Sequence, residues 1–338
     1  MLPSPGITRA LLATNTILYL AMLAFDAFAG RAGGPRLPFD VMAPSVETLQ
    51  AFGMLSTERL FECGRVWLLV TPIFLHLGLL HFLFNTFALW QLGPLAEQAF
   101  GRTRFLVLYL GTGIAGNVAG ASFGIGGAGA SGAIFGLMGA TLVFARRRRH
   151  AIGPGLVYQW LLRWLLYGVL LSLFVRNINH FAHGGGFVTG LALGVLADRA
   201  GAAAIWSFGA RVAVAASAVS FVFVAIDAPK LLRGGAVLTL DHELKGVWSA
   251  VDRFGDPSEP DAQSASEIRD AVWRLRDLRG LRGEVEAYRR RAVELLETLR
   301  ASSEPLERRD AAASFVEIVR GLNDWLGENA CAHGLSFR

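Results

Sequence analysis

Gly124-Ile125-Gly126-Gly127-Ala128-Gly129-Ala130-Ser131-Gly132 is the stretch on which the reading of this chain turns. A run so rich in glycine cannot hold a regular helix firmly. It suits a loop dipping into a protein interior, where irregular backbone at membrane depth is tolerated because protein buries it. A helix then starts near Ser131 and continues through Phe135, Leu137 and Met138 to Ala145. A serine in that position sits beside unpaired backbone N–H groups and the positive end of the helix dipole. Such groups stabilise an oxyanion when a hydroxyl attacks a carbonyl. The plainer alternative is a helix cap flanked by packing glycines. The run is not Gly-x-Ser-x-Gly, since Ala133 takes the last position. Nor is it a phosphate loop, since no Gly-Lys-Ser/Thr follows.

Ala182-His183-Gly184-Gly185-Gly186 is the second landmark. An ionisable residue at membrane depth is costly and is a functional candidate by default. Gly186, Gly190 and Gly194 form one small-residue face, and Gly132 and Gly136 form another; two such faces allow close helix packing. The imidazole of His183 then comes within reach of Ser131, to accept its proton and later return it. The alternative for His183 is a polar interhelical contact. His180 lies nearer the loop and reads as interfacial.

Further upstream, His81 and Asn85 are four residues apart and share one helical face. They are candidate donors to an oxyanion, with interhelical hydrogen bonds as the alternative. His76, His81 and His183 raise zinc as a rival, but there is no His-Glu-x-x-His motif and no acidic ligand nearby. No metal or other cofactor is expected.

Composition sets the surroundings of these residues. The chain has 338 residues, 53% hydrophobic and 17% charged, below the roughly one quarter charged that soluble domains carry. Residues 1–228 hold 15 Lys and Arg against 8 Asp and Glu, while the last 110 hold 17 against 19. The first part therefore reads as membrane and the last as an ordinary polar domain. No basic, aromatic-interleaved stretch supports a nucleic-acid partner.

Hydrophobic stretches long enough to cross a bilayer fall near 7–28, 76–99, 103–124, 129–146, 155–175, 181–199 and 208–228. If these seven alternate, Arg102 and Arg104, the run Arg146 to Arg149, and Arg199 with Arg211 share one side. The positive-inside rule makes that side cytoplasmic, with the amino terminus there as well; Arg176, in a short connection on the other side, is a single basic residue, too little to reverse the count. The loop near 29–75 is then outside, either along the membrane interface or as a solvated connection. Seven spans also put the carboxy-terminal 110 residues outside. Cys63 and Cys331 then share a side on which a disulfide is permitted; six spans would separate them.

The polar region opens with an expected linker at 229–263, containing Pro229, Gly234-Gly235, Pro257 and Pro260. Ser264 followed by Glu267 resembles a capping box. Three amphipathic helices are expected over 264–338, carried by Val272, Leu275 and Leu278; Val285, Tyr288, Val293 and Leu296; and Phe315, Ile318, Val319, Leu322 and Trp325. Nothing in them suggests catalysis, and no partner for them is identified.

Taken in order, Phe74-Leu75-His76, His81 through Asn85, Gly93, Glu97, Gly101, Gly129-Ala130-Ser131-Gly132 and Ala182-His183-Gly184-Gly185-Gly186 resemble the rhomboid family of intramembrane serine proteases. The resemblance covers about residues 5–200. It implies an all-α polytopic fold with a six-helix core over 1–200 and a seventh span at 201–228, as in the family's six-plus-one arrangement. It implies a Ser131–His183 dyad without an aspartate, and an oxyanion hole made by Asn85, His81 and the Ser131 N–H. Gly129, Gly132, Phe135 and His76 would support that site. The expected partners are the lipid bilayer, here a bacterial inner membrane, and transmembrane proteins cut near its outer face. A non-catalytic member that binds transmembrane clients is the alternative. Two departures bear on the site: Trp67 is followed by Leu68 where many members have arginine, and Phe135 stands where bacterial relatives can have tyrosine.

Overall fold

A computed structural model describes residues 6–29, 41–150, 152–174, 178–197, 203–255, 262–278, 281, 283–329 and 331. Arg176, Arg199 and the boundary near residue 200 lie outside them. Two compact units divide at Pro229.

The first unit is built from α1 (Gly6–Phe28), α2 (Val46–Ala51), α3 (Thr57–Phe61), α4 (Leu79–Phe100), α5 (Arg102–Ser122), α6 (Ser131–Arg147), α7 (Ile152–Phe174), α8 (His180–Ala197) and the first half of α9 (Ala203–Gly255). Among the described residues β-pairing amounts to one isolated bridge, Leu55 with Gly127. By length and composition, Gly6–Phe28, Leu79–Ser122, His180–Ala197 and Ala203–Pro229 are apolar enough to cross a membrane. The 44-residue stretch among them holds α4 and α5. At about 1.5 Å per residue it is long enough for two crossings.

The outward faces of these helices carry bare apolar side chains, among them Phe84, Trp90, Leu166, Val188, Ile205 and Phe208. Water would penalise such a surface, whereas lipid solvates it. The chain is an integral, multi-pass, all-α membrane protein.

Lipid supplies no hydrophobic drive between helices, so close van der Waals contact must hold them together. The central helix is α6, which packs against α4, α5, α7 and α8. Its approach to α8 is nearly backbone on backbone. A Cβ placed on Gly190 would lie 2.0 Å from the Gly136 carbonyl oxygen, and one on Gly194 would lie 2.7 Å from Ala140 Cα. Elsewhere the buried Glu97 carboxylate of α4 accepts the backbone N–H groups of Ile7 and Thr8 at 3.1 and 2.8 Å. That caps the orphan donors opening α1, with Thr8 seated against Gly93.

The described part of the connection between α1 and α4 is folded. Its α2 is capped by Ser45, which with Thr48 hydrogen-bonds Asp26 at the end of α1. Leu49, Leu55, Leu60 and Leu68 are buried beneath it. Neither cysteine of the chain is a free thiol.

The second unit corrects two expectations. Residues 229–255, read as linker, are helical throughout, as the second half of α9. Val237, Leu240, Leu244, Val247 and Val251 of that helix enter the unit's core. Residues 256–261 lie outside the description. Ser264 is not an N-cap: α10 (Ala262–Asp277) starts two residues earlier, and the buried Ser264 hydroxyl accepts from Arg253 Nε at 3.1 Å. With α11 (Gly283–Ala301) and α12 (Pro305–Asn329), four helical segments enclose Leu275, Leu296, Phe315 and Leu322.

Candidate active site

The glycine run does not continue α5. That helix stops at Ser122, and Gly124, Gly127 and Gly129 take φ of +73°, +136° and +153°. Backbone of that kind favours glycine. The loop is pinned from two directions. Leu55 and Gly127 exchange backbone hydrogen bonds of 3.0 and 2.9 Å, and Gly129 donates its N–H to the Pro72 carbonyl at 2.9 Å. It delivers Ser131 as the first residue of α6, where the backbone N–H groups of the opening turn have no intrahelical partner.

His183 lies in the first turn of α8. Asn179 precedes that helix, its side-chain oxygen accepting the Ala182 N–H at 2.9 Å and its amide donating to the Ile125 carbonyl at 3.1 Å. One residue thus caps α8 and ties it to the glycine loop. Sequence reasoning missed Asn179; the signal was an N-cap residue type just ahead of His180. It also missed Gly116 of α5, which lies against the Ala182 carbonyl and Gly132 Cα and brings a third backbone to the crossing.

Ser131 Oγ and His183 Nε2 are 2.8 Å apart, a direct hydrogen bond. The Phe135 ring, one turn below Ser131, stacks on the imidazole with centroids 4.5 Å apart and planes 16° from parallel. His81 approaches from the other side: a Cβ on Gly129 would lie 2.7 Å from its Cε1 and 2.9 Å from its Nε2. The Leu77 N–H donates to His81 Nδ1 at 3.4 Å. That contact makes Nδ1 the acceptor and leaves the proton on Nε2, the atom facing Gly129.

Asn85 is buried on the same face of α4, one of its two amide hydrogens given to the His81 carbonyl at 2.8 Å. His76 packs on His81. It is fully buried behind His81, its ring edge-on to His81 at 5.5 Å and to Phe82 at 5.4 Å. An alcohol bonded to an imidazole thus faces His81 Nε2 and the open N–H groups of a helix start.

A family model described as Rhomboid domain matches residues 63–200. Rhomboid protease GluP of Bacillus subtilis (strain 168) is 38% identical over 229 residues, covering 64% of this chain and 41% of its own length. Putative rhomboid protease YdcA of the same organism is 38% identical over 136 residues, which cover 39% of this chain and 68% of that protein. The chain belongs to the rhomboid family.

Rhomboid-like protease 2 of Toxoplasma gondii is also similar, at 33% identity over 184 residues, 54% of this chain and 65% of that protein. The chain thus spans under half the length of GluP. Within this rhomboid the candidate site, from His76 to His183, lies wholly in the matched part. Both departures from the family pattern have a local account. Phe135 keeps the ring beneath the imidazole without a hydroxyl. Arg65, two residues before Trp67, is buried and ion-paired to Asp227 of α9 at 3.2 Å.

Proposed function

We propose that this rhomboid is an intramembrane serine endopeptidase with Ser131 as nucleophile and His183 as general base and acid. The observation that carries the reading is the 2.8 Å contact between Ser131 Oγ and His183 Nε2. For Nε2 to accept the serine proton, the neutral imidazole must hold its own proton on Nδ1. Oγ attacks the scissile carbonyl carbon as its proton passes to Nε2, and the carbonyl oxygen becomes an oxyanion. His81 Nε2–H, the second amide hydrogen of Asn85 and the Ser131 N–H are the donors for that charge. His183 then returns the proton to the leaving amine, and an acyl ester remains on Ser131. Water, deprotonated by the same imidazole, hydrolyses that ester and regenerates the serine.

The substrate class follows from where the site opens. Ser131 and His183 both begin their helices on the side away from Arg146 to Arg149, which the positive-inside rule makes the outer face. A transmembrane segment unwound near that face of a bacterial inner membrane presents a carbonyl at the right depth. The amino terminus is cytoplasmic in this arrangement.

The test is cleavage of a membrane-anchored reporter in cells. Ser131→Ala and His183→Ala each abolish cleavage while the protein still inserts. Cleavage that survives in Ser131→Ala refutes the assignment. A wild-type protein that retains the reporter without cutting it identifies a client-binding member instead.

A further inference from the structure

The seventh span is fastened to the same piece of outer loop that holds the serine loop in place. Three contacts make the fastening. Arg65 and Asp227 are both buried, at 4% and 6% exposure, and pair at 3.2 Å. The Trp67 ring stacks on Phe223 of α9, centroids 4.7 Å apart and planes 12° from parallel. Phe74 meets Phe221 at 5.7 Å. The loop fits α9 closely: Gly53, at φ +97°, would drive a Cβ to 2.7 Å from Val224 Cγ2 and 2.5 Å from Thr71 Oγ1.

A second cation, Arg59, is buried beside this pair and donates to the Gln50 carbonyl at 3.3 Å. Burial first, and then the charge of Arg65, lower its pKa to about 10, with Asp227 acting against both. Asp227 is thus a carboxylate facing two buried guanidinium groups. Removing it takes a buried negative charge away from both.

The other side of the same loop segment faces the site. Pro72 accepts the Gly129 N–H at 2.9 Å, and Leu69 accepts from Asn117 of α5 at 2.8 Å. Gly129 is two residues from Ser131 and is the surface on which His81 rests. Residues 65–74 therefore have α9 on one flank and the oxyanion side of the site on the other.

We propose that the seventh span is a positioning element of the active site, with Asp227 and Arg65 as positioning residues that hold the 65–74 segment and, through Pro72, the Gly129–Ser131 turn. This rests on the serine-protease reading above. The seventh span touches neither the dyad nor a bound peptide; it fixes the backbone that aims them. Loss of the pair lets the Pro72 carbonyl shift, and a shift of about 1 Å at reacting atoms can lower a rate on the order of a hundredfold.

The experiment uses the full chain in detergent, with a fluorophosphonate probe and a transmembrane peptide substrate. Labelling rate at Ser131, kcat and KM are measured for wild type, Asp227→Asn, Arg65→Gln and the exchanged pair Arg65→Asp with Asp227→Arg. Phe223→Leu is added because it loosens the same contact without stranding a charge. The expected result is a labelling rate and kcat lowered roughly tenfold or more in the single variants, with KM within about twofold. The exchanged pair recovers part of the loss, and Phe223→Leu shows a smaller defect of the same kind. If the charge variants fail to fold, Phe223→Leu decides, with its melting temperature checked. Folded variants that label at the wild-type rate, or a defect confined to KM, overturn the proposal. A wild-type protein that never labels overturns the serine-protease reading itself.

Discussion

Gly186 of α8 lies directly against Gly132 of α6: a Cβ added to Gly186 would sit 2.1 Å from the Gly132 carbonyl oxygen. The two glycines are neighbours of His183 and Ser131 in sequence, so the distance between backbones sets the distance between reacting atoms. Gly186→Ala must push the helices apart. It is expected to cost about 1–3 kcal/mol of stability as overpacking and to lower activity on the order of a hundredfold through misplacement. Reporter cleavage together with thermal unfolding in detergent measures both. A variant that cuts at the wild-type rate would show that the close approach is dispensable.

Gly129→Ala is expected to act on the other side of the site. Its φ of +153° disfavours any side chain, and the new methyl would meet the His81 ring at 2.7 Å. Displacing His81 removes one oxyanion donor, which typically costs about 10²–10³ in kcat. KM should change little, because the lost contact exists mainly in the transition state. Steady-state kinetics on a transmembrane peptide separates the two constants.

Phe135→Ala removes the ring stacked on His183. Aromatic stacking of this kind contributes about 0.5–1.5 kcal/mol beyond burial, so labelling of Ser131 should slow by roughly two- to tenfold. Phe135→Tyr keeps the ring and should label close to the wild-type rate. Equal rates in all three proteins would remove the ring from the account.

Neither thiol is free, and disulfides persist on the oxidising side of a membrane. In the proposed topology, seven spans would put both Cys63 and Cys331 there. A thiol-reactive mass tag should therefore label denatured protein only after reduction. Capture of Cys331 from the cytoplasmic side of intact cells would contradict the topology.

Much of this site was legible because membrane depth leaves few explanations for polar residues. Ser131 and His183 stood out as polar residues among glycines, and small-residue faces have one main use in lipid. Phe135 came from the family resemblance alone, and its ring does stack on the imidazole. His76 was placed among the supporting residues, and the structure sets it behind His81, where only ring contacts remain. Asn179 went unnoticed because loop position, not composition, gives it its role.

The largest misreading was the linker. Pro229 and Gly234-Gly235 looked like breakers, yet α9 runs through them. Val237, Leu240, Leu244, Val247 and Val251 recur at helical spacing, and their burial in the second core outweighs the weak local propensity. Ser264 was misjudged for a related reason: a capping pattern describes a helix start only when the hydroxyl faces the first turn, and here it faces Arg253.

The most direct measurement is to treat the purified protein with a fluorophosphonate and map the adduct by peptide mass spectrometry. A single adduct on Ser131 is expected, absent in Ser131→Ala and lost in His183→Ala even though that variant keeps the hydroxyl. No adduct on the folded wild type, or undiminished modification of Ser131 after the imidazole is removed, would contradict it.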